Sequence, residues 1–166
     1  MNPSGSTSSS VSGRHRALLA ADGYAELGLP DLAWEEIDQL PESDKHLPEV
    51  REIMLGLYIR QGRWAEAISE GGQWCREGID RPAIYIHTAY ALHETGRTPE
   101  ARAILQSGPA SLRSNPLYHY NMACYLATAG SLKDAEVCLR TAFRMDEKLR
   151  QFAKKDPDLK DFRSIL

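Results

Sequence analysis

The sequence predicts an all-α fold, an α-solenoid of four stacked helix pairs followed by a C-terminal capping helix. Two observations carry this reading. Gly28, Gly62, Gly96 and Gly130 recur every 34 residues, and Ala33, Ala67, Ala101 and Ala135 follow them at the same step, with Pro48, Pro82 and Pro116 sharing the period. Between these markers apolar residues recur at helical spacing, as in Ile53, Met54, Tyr58 and Ile59, or Met122, Ala123, Tyr125 and Leu126. A period of this length built from helix signals marks units that bury their apolar faces on one another.

The 166 residues divide into a leader over 1–13, four units over 14–47, 48–81, 82–115 and 116–149, and a terminal segment over 150–166. The leader, Met1 to Gly13, holds six serines and neither charge nor apolar run, so a flexible segment is expected there. Within the units the spacing predicts helices over 14–27, 31–40, 48–61, 64–77, 82–95, 98–107, 116–129 and 132–145. Each recurring proline suits a first helical position, where the missing N–H had no partner to lose. Each recurring glycine ends a first helix by taking the left-handed backbone of a C-terminal cap. Each recurring alanine faces inward where two helix backbones come close. Gly108-Pro109 cuts the sixth helix short and predicts a longer connection over 108–115. A ninth helix is expected over about 146–155, with a short turn after Pro157.

The pattern resembles the tetratricopeptide repeat. Small residues Ala21, Ala89 and Ala123, aromatic Tyr24 and Tyr58, the turn glycines and the second-helix alanines carry the resemblance, and the run from Tyr120 to Ala135 matches best. Departures are Leu55 at a usually small position, Gly71-Gly72 within a helix, Trp74 at another small position, and the absence of the usual late proline. The resemblance implies a right-handed superhelix whose concave groove binds a protein or peptide. Its groove positions fall on Asp22 and Glu26 in the first unit, on Glu49, Glu52, Ile59 and Arg60 in the second, on Ile86, Tyr90, His93 and Glu94 in the third, and on Leu117 and Tyr120 in the fourth. That set is acidic in the first half and apolar-aromatic in the second, which suits a segment with basic and apolar residues. The same acids also fit a plainer role: Glu49 and Glu52 lie in a first helical turn, where the helix dipole favours them, and Asp22 and Glu26 fit a solvated face. One subclass of the family clamps a peptide carboxylate with lysines and asparagines. Here only Asn121 matches, while Ile86, Tyr90, Gln151 and Lys155 fill the other positions, so no such clamp is expected.

Composition excludes several function classes. A formal charge of −3 gives no general attraction to nucleic acid, and no apolar run is long enough to span a membrane. No nucleophile elbow, zinc-protease motif or phosphate-cradling loop is present. His119 with Cys124, and His87 with His93, lack the i, i+4 spacing that stacks two ligands on one helix face. Neither catalytic nor metal-ligating residues are expected, and no cofactor. Three unpaired cysteines, Cys75, Cys124 and Cys138, and no secretory leader point to the cytoplasm. The leading expectation is a non-enzymatic scaffold or adaptor. A second is a structural accessory of a cytoskeletal filament, because small bacterial kinesin-light-chain-like proteins of this family fit the size. In that reading Lys154 and Lys155 are the residues nearest to a membrane-surface contact, although two lysines fall short of a polybasic cluster. Self-association through apolar ends is a further expectation.

Overall fold

The computed structural model describes residues 6–165, with side chains over 12–163. Every regular element among them is helical. In order they are α1 (Ser6–Glu26), α2 (Pro30–Asp38), α3 (Glu42–Lys45), α4 (Pro48–Arg60), α5 (Trp64–Arg76), α6 (Pro82–Glu94), α7 (Thr98–Ser107), a 3-10 turn (Ala110–Ser114), α8 (Pro116–Thr128), α9 (Leu132–Met145), α10 (Leu149–Ala153) and a second 3-10 segment (Pro157–Ile165). Two compact units divide the chain, one ending at Glu66 and one beginning at Ala67.

The 34-residue period is visible as one turn made four times. Gly28, Gly62, Gly96 and Gly130 have φ of 73°, 65°, 78° and 78°. After each, the next residue donates its N–H to a carbonyl five residues back: Leu29 to Tyr24, Arg63 to Tyr58, Arg97 to Leu92 and Ser131 to Leu126, at 2.8–2.9 Å. This is the Schellman closure, which satisfies carbonyls that the end of a helix would leave orphaned. The backbone conformation, not space, demands glycine at position 28, since a Cβ there meets nothing within 4 Å. Gly28→Ala should therefore cost about 1 kcal/mol of stability. Gly23, inside α1 with open space around it, is the matched control: Gly23→Ala should stabilise by about 0.5–1 kcal/mol. Chemical denaturation of the two variants reads both signs.

The alanines behave as the spacing predicts. Ala33, Ala67, Ala101 and Ala135 are all 0% exposed. In the first unit Ala21, Ala33, Ile37, Val50 and Leu57 form the core between α1, α2 and α4. Its rim carries a stack in which Trp34 and Tyr58 lie 5.0 Å apart and the Arg63 guanidinium sits 4.6 Å from the Tyr58 ring. In the second unit Leu92, Ala101, Leu105, Ala123, Leu139 and Phe143 form a core shared by α6, α7, α8 and α9.

Three elements differ from expectation, and the longer connection over 108–115 is present as expected. Residues 1–5 of the expected flexible leader lie outside the described residues, but from Ser6 the backbone is already helical. Extending a helix already fixed by the packing of 14–26 gains one hydrogen bond per added residue, which a serine run does not prevent. Helix α3 is additional: the Pro41 carbonyl accepts from Asp44 and Lys45, and Lys45 pairs with Glu42 at 2.8 Å. The connection over 108–115 is a 3-10 turn whose Leu112 is fully buried, with Gly108 closely packed on Leu112 and Tyr85. The expected capping helix over 146–155 is shorter. Asp146 is extended (φ −146°, ψ 101°) and its side chain accepts the Lys148 N–H, so the helix starts late, while Pro157 opens the second 3-10 segment instead. The terminal segment still closes the core, with Leu149, Ala153, Leu159 and Phe162 buried in it.

Candidate peptide-binding site

In the first unit the expected groove residues come from α1 and α4. Asp22, Glu26 and Arg60 are exposed, and Glu49, Glu52 and Ile59 are half-buried. Glu49 has an ionic neighbour as well as its place in a first helical turn: Arg14 on α1 lies 3.9 Å from its carboxylate and 3.5 Å from that of Asp44. Arg14 lies too far back in the chain for local spacing to have indicated this pairing.

In the second unit the expected residues come from α6 and α8, and the structure sorts them into two kinds. Tyr90 and Leu117 are 36% and 40% exposed, and Glu94 is exposed. Ile86 and Tyr120, by contrast, are buried at 4% and 8%. Ile86 therefore packs helices and offers no surface. Tyr120 donates its hydroxyl to Asp156 at 2.8 Å. Burial and this hydrogen bond, in that order, hold its phenol far above the ordinary value. His93 is likewise engaged: one ring nitrogen meets Asp158 at 2.7 Å and the other the Thr98 hydroxyl at 2.9 Å.

The partners of these buried groups come from the terminal segment. Asp156 accepts from Tyr120 and from the Cys124 thiol, its other oxygen accepts the Asp158 N–H, and Asp158 bonds His93. This Asp-Pro-Asp turn is thus tied to the inner helices of the unit. Together they enclose a cavity of about 460 Å³, lined among others by Tyr90, Glu94, Leu117, Tyr125, Phe152 and Lys155. That volume lies within the roughly 300–1,000 Å³ of ligand pockets. The sequence pointed to capping, or to a membrane contact through Lys154 and Lys155, and gave Phe152, Asp156 and Asp158 no part in a site. Their one sequence signal was the helix stop and cap at 156–158.

The arrangement does not activate its thiols. The Cys124 thiol is pushed far up, first by burial and then by Asp156 and Asp158, and burial pushes Cys75 up to about 11. Both stay protonated, the opposite of an activated nucleophile. His119 turns to the Arg113 carbonyl at 2.9 Å, while Cys124 turns to Asp156, so the two share no partner. Among the described residues Cys124, Asp156 and Asp158 form one group of ligand type, with atoms within 4.8 Å of one another. Their spacing follows from the hydrogen bonds just described, which account for it without an ion.

No described helix is long and apolar enough to cross a membrane. No curated protein matches the chain. A tetratricopeptide-repeat family model matches residues 82–107, which are α6, the Gly96 turn and α7. The same glycine turn and fully buried alanine occur at the 34-residue step on either side of that match. Residues 82–107 thus match the tetratricopeptide repeat, and the other helix pairs of the chain are similar to it in their turns and buried alanines.

Proposed function

We propose that the protein is an interaction scaffold that binds a segment of a protein partner on the inner faces of its helix pairs, centred in the second unit on α6 and α8. The observation that carries this reading is the cavity bounded by Tyr90, Leu117 and Phe152, three large side chains left 36%, 40% and 66% exposed around one concavity. Grouped exposed apolar side chains mark interaction sites more often than scattered ones do. Helices hold these anchors in place beforehand, so little ordering is lost on binding. In the first unit Asp22, Glu26, Ile59 and Arg60 are the corresponding candidates, and the two exposed acids suit basic residues of a partner. A reducing compartment such as the cytoplasm suits the three free cysteines.

Leu117 and Tyr90 are the residues to test. Tyr120 would confound the result, because its removal leaves Asp156 short of a donor inside the fold. The double variant Tyr90→Ala, Leu117→Ala should keep its helical circular dichroism and lose partner capture at least about tenfold, which is ~1.4 kcal/mol. Undiminished capture by the folded variant would move the site elsewhere.

A further inference from the structure

The cavity in the second unit carries both apolar and acidic side chains on its wall, and this combination selects a chemistry. Glu94 comes from α6, and Asp156 and Asp158 come from the terminal turn, so carboxylates approach from two elements. The basic side chains at the wall are Lys155, which is exposed, and His93, which is already held between Asp158 and Thr98. Tyrosines complete the lining, with Tyr90 exposed and Tyr120 and Tyr125 buried.

Tyr125 supplies an independent observation. It is 1% exposed, it lines the cavity, and its hydroxyl is buried without a hydrogen-bond partner. An orphaned buried hydroxyl costs free energy unless something satisfies it. Burial first, then Cys124, Glu94, Tyr90 and Asp158, push its phenol far above the ordinary value. Tyr90 is raised by burial first, then by Glu94, Asp156 and Asp158.

We infer that this cavity is a subsite for an arginine side chain of the bound partner, flanked in the partner by an apolar residue resting on Leu117 and Phe152. The inference rests on the groove reading above and specifies what the groove takes. A guanidinium fits each feature in turn. Its five N–H donors suit carboxylates on two sides and an unpaired phenol oxygen, and its flat face suits the exposed Tyr90 ring. Lysine offers a compact ammonium without the planar fork, so it should bind second best. An acidic residue at the same position meets three carboxylates.

The test uses the full chain and a set of fluorescein-labelled ten-residue peptides. These share one leucine-containing frame and carry Arg, Lys, Gln or Glu at the central position, and binding is read by fluorescence anisotropy. The expected order is Arg, Lys, Gln, Glu, with the arginine peptide at least tenfold tighter than the glutamine one. Glu94→Gln should shrink that ratio to below about threefold and leave the glutamine peptide unchanged. Lys155→Gln should tighten the arginine peptide. Glu136→Gln, which removes the same charge from the outer helix α9, should change nothing, and so separates the subsite from general attraction to an acidic protein. Equal binding of the arginine, glutamine and glutamate peptides, or equal effects of Glu94→Gln and Glu136→Gln, would overturn the arginine subsite. If the peptides still weaken in the Tyr90→Ala, Leu117→Ala variant, the groove itself survives that result. Binding that ignores this double variant, or no binding by any peptide, would count against both.

Discussion

Replacing Leu159 with alanine should destabilise the second unit by about 2–5 kcal/mol, as much as a substitution in the middle of a helix core. Leu159 is fully buried although it lies seven residues from the end of the chain, and Phe162, Ala153 and Leu149 are buried with it. Together they cover apolar side chains of α8 and α9 that a helix-pair stack leaves open at its last unit. Truncation to alanine removes three carbons' worth of contact and leaves a void that the kinked 3-10 segment cannot easily fill. Denaturant unfolding followed by tryptophan fluorescence and circular dichroism reads the loss. A shift below 0.5 kcal/mol, the usual range for exposed positions, would mean that the terminal segment is not part of the core. Because the same segment carries Asp156 and Asp158, loosening it should also weaken partner binding.

The second large effect is expected from Ala135→Leu. Ala135 is 0% exposed on α9, where that helix meets α8. Three extra heavy atoms have no room between two helix backbones, so the pair must separate or the new side chain must leave its preferred rotamer. Overpacking of this kind costs about 1–3 kcal/mol, and more where the backbone is the neighbour. The change should lower the melting temperature by several degrees. Glu136→Leu, one position along the same helix and half-exposed, is the control and should alter stability little. Equal tolerance at both positions would contradict the reading of the alanine as a close-packing requirement.

How much of this was legible in the sequence follows from where each interaction lies along the chain. The turns were, because Gly96 and the residues that close on it lie within one short stretch, and a positive φ restricts the choice of residue. The buried alanines were, because their period is that of the turns. Groove membership was legible only in part. Helical spacing places Tyr90 and Ile86 four residues apart on one helix, yet Tyr90 stays open while Ile86 is buried among its neighbours. What decides between them is tertiary packing, which a repeat register does not contain. The Asp158 pairing with His93 spans 65 residues and the Tyr120 bond to Asp156 spans 36. Neither distance matches the repeat period, so the contribution of the terminal segment to the site was invisible until the chain was folded. The Arg14 contacts with Asp44 and Glu49 escaped for the same reason.

Site-specific photo-crosslinking tests the central claim, that partners bind on the inner face of the second unit. Benzoylphenylalanine placed at Tyr90 reports on the cavity, and the same group at Val137, 65% exposed on α9, reports on the outer helix. A partner adduct is expected from position 90, mapped by mass spectrometry to a segment containing arginine beside an apolar residue, and none from position 137. Adducts from position 137 with none from position 90 would contradict that claim.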